Sequence, residues 1–287
     1  MWRRRLRDLA LRGAGRRLRA SVLDASGTAG SSEANPPAAP VDPALPALGP
    51  RAVAWREDRA PLALAARPRQ GALGDCWVIA SLLAAHEADP SIAARLVDLR
   101  ADGTARVCLR PDARPHGRRQ ARPIEVVIDR RMPITAEGHW AYAREEGRGP
   151  GWAGLVEKAA ALEVAGSYRI LAAGFGRFGL GLVTGLPVRS HLILPSAARI
   201  DAWTRAGHAL VASTHPLSPL VRTLHGPLPL DHVVAVVGAD PRTGHVRVRN
   251  PWRPDDVLVL DARTFRRGFV SLDRTAVPVR DRTVPTR

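Results

Sequence analysis

Residues 70–77 read Gln70-Gly71-Ala72-Leu73-Gly74-Asp75-Cys76-Trp77, and the cysteine opens an apolar run that continues Val78-Ile79-Ala80-Ser81-Leu82-Leu83-Ala84-Ala85. Pro90 closes that run, so the pattern predicts a helix that begins at the thiol and is apolar enough all round to lie centrally. A thiol at a helix start sits near the positive end of the helix dipole, where the thiolate is favoured and the cysteine becomes a nucleophile. Gly71 and Gly74 allow close backbone approach. Gln70 can aim its side-chain amide at the carbonyl oxygen such a thiolate attacks. An isolated cysteine is ordinarily a small apolar side chain in a core, but this flanking pattern argues for chemistry.

A reactive thiolate needs a base and a group to orient it, and both stand far downstream. Asp231-His232 leads into Val233-Val234-Ala235-Val236-Val237-Gly238-Ala239, which reads as a strand. Asp240-Pro241-Arg242-Thr243-Gly244 is a turn, and His245-Val246-Arg247-Val248-Arg249-Asn250 alternates into a second strand. The hairpin brings His232, near the start of one strand, beside Asn250, at the end of the next. Pro251 ends that strand because proline offers no ladder donor.

On these residues the chain resembles the calpain family of cysteine proteases. The matching pieces are Gln70 to Trp77, then Leu155-Val156-Glu157-Lys158-Ala159 leading to Gly166-Ser167-Tyr168, then Val183-Thr184-Gly185, His232 with its strand, and Arg249-Asn250-Pro251-Trp252. A closing segment from Asp261 to Phe269 carries spaced phenylalanines. The resemblance covers about residues 55 to 280 and implies an α+β, papain-like fold of two lobes with the active-site cleft between them. A helical lobe, residues 51–189, would carry the cysteine, and a β-rich lobe, residues 190–287, the histidine and asparagine. A short sheet is expected within the first lobe, from Ala105 to Arg110 and Ile124 to Ile128. A second strong helix is expected from about Trp152 to Tyr168.

The resemblance also implies the mechanism of a cysteine endopeptidase acting through a thioester acyl-enzyme. Cys76 would be the nucleophile and His232 the general base, later the acid that protonates the leaving amine. Asn250 would hold the imidazole in its useful tautomer. The Gln70 side chain and the Cys76 backbone N–H would form the oxyanion hole. Trp252 would shield the Asn–His hydrogen bond from water at the cleft between the lobes, with plain core packing as the compatible alternative. Glycines 174 to 185 read as a flexible segment near the cleft, where Gly174 could approach substrate backbone. His208, in Gly207-His208-Ala209, competes for the base role, but its stretch better resembles the strand before the catalytic one, and no Asn-Pro-Trp follows at hairpin distance.

Three departures from the family pattern stand out. Asp231 precedes the base where calpains usually have glycine, and its carboxylate would favour a charged imidazolium. Val233-Val234 replace Ala-Tyr, a change in packing. The calcium chemistry looks absent: calcium needs several oxygen ligands gathered on a loop, whereas Arg67, Pro68 and Arg69 precede the glutamine. Only Arg253-Pro254-Asp255-Asp256 follows Asn-Pro-Trp. A core without cofactor or metal is expected.

Composition bounds the rest. The 287 residues, 45% hydrophobic, suffice for one two-lobed domain. The net charge of +16 comes almost entirely from arginine, with Lys158 the sole lysine. That bias fits a GC-rich bacterial coding sequence better than a nucleic-acid site, and neither an RNA-binding aromatic motif nor a zinc finger is present. Residues 1–20 hold eight arginines against Asp8; with Trp2, Leu6 and Leu9 at helical spacing, the segment 1–23 reads either as a basic amphipathic helix for an acidic membrane surface or acidic partner, or as a solvated tail. Residues 24–50, rich in Ser, Gly, Ala and Pro, are a linker or a propeptide, and the sequence does not decide. No secretory core follows the arginines, and no run approaches a membrane span. Cys108 lies on an expected buried strand, so no disulfide framework exists. A monomer in the cytoplasm is expected, with export lacking a Sec signal as the alternative. The partner would be a protein or peptide substrate. A transglutaminase-like acyl transferase of the same fold and a catalytically silent peptide-binding module are the competing functions; Asn250 in third place disfavours the first.

Overall fold

The computed structural model describes residues 45–111 and 123–280. The basic segment 1–23 and most of the linker lie outside the described residues. Five helices frame the fold: α1 Cys76–Ala88, α2 Gly151–Ala160, α3 Gly176–Thr184, α4 Ala197–Arg205 and α5 Ala262–Gly268. The nine strands of the two larger sheets are β1 Val97–Leu99, β2 Ala105–Leu109, β3 Ile124–Ile128, β4 Val188–His191, β5 Leu210–Thr214, β6 Val233–Ala239, β7 Val246–Asn250, β8 Arg253–Leu260 and β9 Phe269–Thr275. The result is a mixed α/β fold. None of its helices, among the described residues, is long and apolar enough to cross a membrane.

α1 is the pivot. Every residue from Cys76 to His86 is buried, as a helix without a polar stripe must be. α2 packs beside it and is buried throughout, Glu157 and Lys158 included. The expected single helix from Trp152 to Tyr168 is broken: α2 passes into a π-helical turn, Ala161–Ala165, and stops at Gly166, whose φ of 75° is left-handed. Tyr168 opens a separate short helix, Tyr168–Leu171, whose N-cap Ser167 accepts from the Ile170 N–H.

The segment read as flexible, residues 174–185, is instead mostly helix, as α3. Its glycines serve packing rather than freedom. A Cβ on Gly179 would stand 2.1 Å from the Trp77 carbonyl oxygen and 2.5 Å from Ser81 Oγ. Only glycine lets α3 come that close to α1.

The small sheet β1-β2-β3 is antiparallel and holds Cys108 as a free thiol. The large sheet runs β8-β7-β6-β5-β9-β4, every neighbouring pair antiparallel. Both of its faces are covered. Ala209, Val211, Val233 and Ala235 join the core around α1, while Leu210, Ala212, Val234 and Val236 join a second core with Ile200 of α4 and Phe265 of α5. The period of two is that of a strand, and burial on both faces explains why β6 is apolar without interruption. The end of the linker is also anchored: Pro46 is buried, and the Pro50 carbonyl accepts from the Tyr142 hydroxyl at 3.1 Å.

Candidate active site

Cys76 opens α1 at the wall of a cavity of about 950 Å³ that also touches Trp77, Asp231, His232 and Val233. Its Sγ lies 4.0 Å from the Asp231 carbonyl oxygen, and the Val233 N–H also reaches it. The sulfur therefore sits over the backbone on either side of His232. Burial pushes the thiol up to about 11, against the backbone N–H groups of Val233, Trp77 and Cys76, and the charge of Asp75 adds to the rise. In this closed setting burial works against the thiolate that the helix N-terminus favours.

His232 is buried ahead of β6, its N–H donating to Thr214 Oγ1 at 2.9 Å and its carbonyl accepting from the Thr214 N–H at 2.8 Å. Strand β5 thus fixes its backbone from the side. Its Nε2 lies 2.9 Å from Asn250 Oδ1. The Trp252 backbone N–H points at that same oxygen, at 3.0 Å. A backbone N–H can only donate, so the Asn250 atom between them must be the oxygen, and Nε2 of His232 must carry a proton. In the neutral ring Nδ1 then holds the lone pair. Burial pushes His232 down to about 4, opposed by the Asn250 hydrogen bond. The Asp231 carboxylate has no part in that balance, contrary to the expectation of an imidazolium favoured by it. Asp231 is exposed, adopts φ 47°, and meets the thiol through its carbonyl.

The two-residue turn Pro251-Trp252 joins β7 to β8, with Asn250 paired to Arg253. It lays the Trp252 indole against the imidazole, ring centroids 4.2 Å apart, while 43% of Trp252 remains exposed. The turn also touches the cysteine loop: the Gln70 N–H donates to the Pro251 carbonyl at 2.9 Å. Gln70 is buried, and its Nε2 donates to the Leu73 carbonyl at 2.6 Å. One of its two amide hydrogens is thereby used by the loop itself, leaving the other for a further acceptor. Gly71 is required here, since a Cβ would lie 2.3 Å from the Tyr142 carbonyl oxygen.

Gly174 lines the cavity, but what dictates glycine there is Trp77: a Cβ would fall 2.5 Å from the indole ring, whose Nε1 is anchored on the Leu171 carbonyl at 2.9 Å. The rest of the cavity wall escaped sequence reasoning. Ile170, Phe175, Phe178, Leu192 and Val270 come from three separated segments, and nothing in their local pattern marks them as neighbours. His208 is placed elsewhere, its Nδ1 2.8 Å from the Thr275 carbonyl oxygen.

Arg67 pairs with Glu87 at 2.6 Å and with Asp255 at 2.9 Å, so a cation side chain already holds one of the two carboxylates that follow Trp252. Among the described residues no group of three His, Cys, Asp or Glu could hold a metal ion.

The arrangement offers a buried thiol, an imidazole with a fixed tautomer, an amide donor and an apolar cavity, all brought together from segments far apart in the chain. A family model described as calpain family cysteine protease matches residues 65–256, the stretch from just before Gln70 to just after Trp252.

Proposed function

We propose that this chain, which belongs to the calpain family of cysteine proteases, is an endopeptidase working through Cys76, His232 and Asn250 without calcium. Family membership carries cysteine peptidase activity; the residue roles and metal independence are our reading. The observation that carries it is the doubly engaged Asn250 oxygen. It leaves the basic nitrogen of His232 to serve a thiol set against the residues on either side of that histidine.

The chemistry follows. As substrate enters, the Cys76 proton passes to His232 Nδ1 and the sulfur adds to the scissile carbonyl. The resulting oxyanion is met by the Cys76 N–H and the second Gln70 amide hydrogen. The C–N bond then breaks, the imidazolium proton leaves with the amine, and a thioester remains. Water, deprotonated by His232, attacks the thioester; the acid leaves and the thiol is restored. Asn250 keeps the ring from turning, and Trp252 keeps water from its hydrogen bond. The two cores meeting at the large sheet support a papain-like arrangement of two lobes. The apolar wall of Phe175, Phe178 and Leu192 favours a substrate with a bulky apolar side chain beside the scissile bond.

Acid quenching during turnover of an activated peptide ester, followed by peptide mass mapping, tests this reading. One acyl group on Cys76 and none on Cys108 is expected, with water as the acceptor even when a primary amine is supplied. Preferential transfer to the amine would instead make the chain an acyl transferase, and tight peptide binding without acylation a recognition module.

A further inference from the structure

Immediately behind Cys76 the fold buries two carboxyl groups against each other. Asp75 is 0% and Glu157 1% exposed, and the Glu157 side chain lies within hydrogen-bond reach of that of Asp75. An aspartate at a helix start ordinarily turns its carboxylate back onto the first unpaired N–H groups. Asp75 does not: it makes no side-chain cap of α1, and although its own backbone N–H approaches its carboxyl, neither oxygen receives a well-formed hydrogen bond. Glu157 accepts one shared N–H, that of Ala143, at 3.2 Å to each oxygen. The nearest cation in sequence, Lys158, is directed to Asp129 Oδ1 at 2.6 Å and the Arg131 carbonyl at 2.8 Å. Two adjacent buried carboxylates that face no cation, with the Ala143 N–H shared across Glu157, cannot both carry charge, whereas one proton between them turns repulsion into an O–H···O bond.

We propose that Glu157 and Asp75 share a single proton, Glu157 donating and Asp75 accepting, and that this bond positions the Cys76 loop against α2. The donor is assigned from the surroundings: a protonated Glu157 still accepts the Ala143 N–H through its carbonyl oxygen, and its hydroxyl supplies what the Asp75 oxygens lack. Burial raises both groups, Asp75 to about 7 and Glu157 well above the usual carboxylate range. The other titratable groups facing the pair are Cys76 on α1, Tyr142 before α2 and Tyr168 on the short helix, with Asp129 beyond Tyr168. None of them brings positive charge. The positioning role rests on the proposed nucleophile; the shared proton does not, and the two are separable by experiment.

Glu157→Gln is the informative variant. Its amide oxygen can accept from Ala143 and its NH₂ can donate to Asp75, so it copies the protonated side chain but cannot titrate. Because folding raises the carboxyl's pKa, the wild type binds an extra proton when folded and loses stability as pH rises above the unfolded value near 4.5. The full-length Glu157→Gln protein is expected to melt above wild type by a margin that widens from about pH 5 to about pH 8. At neutral pH it should keep kcat within about threefold, while Glu157→Leu loses about tenfold or more with little change in KM. A melting margin that stays constant with pH overturns the shared proton, whatever the activity of any variant. A Glu157→Gln protein as impaired in kcat as Glu157→Leu overturns the positioning role.

Discussion

Replacing Asn250 by alanine removes a single oxygen that holds two donors at once, His232 Nε2 at 2.9 Å and the Trp252 N–H at 3.0 Å. During the reaction His232 becomes an imidazolium, so the first of these becomes a charge-assisted bond, a class that contributes about 1.5–3 kcal/mol. Its loss in the transition state corresponds to about a 10- to 150-fold fall in kcat/KM. A further, smaller loss follows because the ring can now place its proton on Nδ1, where it no longer serves as base towards the sulfur. The fall should appear in kcat more than in KM, since His232 lines the cavity and Asn250 does not. Asn250→Asp supplies the control. It keeps an oxygen for both donors, so activity should exceed that of Asn250→Ala, but its charge should lift His232 from about 4 and move the acid limb of kcat/KM to higher pH. Peptide hydrolysis with separately determined kcat and KM across pH is the assay. An Asn250→Ala enzyme within about threefold of wild type, or an acid limb unmoved in Asn250→Asp, would refute the orienting role.

Four other outcomes are expected. With His232 pushed down to about 4 and Cys76 up to about 11, kcat/KM should rise through the lower value and stay flat across neutrality; a bell centred narrowly near pH 6 would contradict it. The same histidine binds fewer protons folded than unfolded between about 4 and 6.5, so its contribution to thermal stability should be lost as pH falls through that window, measurable as a melting difference from His232→Gln. Gln70→Ala should lower kcat by about a hundredfold, the usual effect of losing one oxyanion donor; an unchanged kcat would remove Gln70 from the site. Gly179→Ala drives a methyl into the Trp77 carbonyl and should destabilise the protein by about 1–3 kcal/mol, read from denaturant midpoints; a neutral effect would mean that α3 does not rest on α1 as described.

The parts of the fold legible in the sequence were those where chemistry and local pattern coincide. The octapeptide ending at Trp77 announced a thiol at a helix start, and α1 begins at Cys76. The hairpin was readable from alternation and the Asp240–Gly244 turn, and its register does bring His232 beside Asn250. What stayed hidden depends on neighbours distant in the chain. The glycines of α3 oppose helix formation taken locally, and only the pressure of Trp77 and Ser81 on the same face makes them the right residues. The helix-dipole argument counted the amides at Cys76 and not the burial that opposes them. The setting of Asp75 is visible only once Glu157, 82 positions on, is seen against it. The pairing of Arg67 with Asp255 is of the same kind: two charges far apart in the chain become a bridge between the cysteine loop and β8.

The most direct measurement is digestion of an unfolded protein such as casein, with calcium chelated, by the full-length chain and its Cys76→Ala variant, the fragments identified by mass spectrometry. Cleavage by the wild type alone, undiminished by the chelator and favouring sites beside bulky apolar residues, is the result this account predicts. Cleavage that persists in Cys76→Ala, or that appears only when calcium is restored, would contradict it.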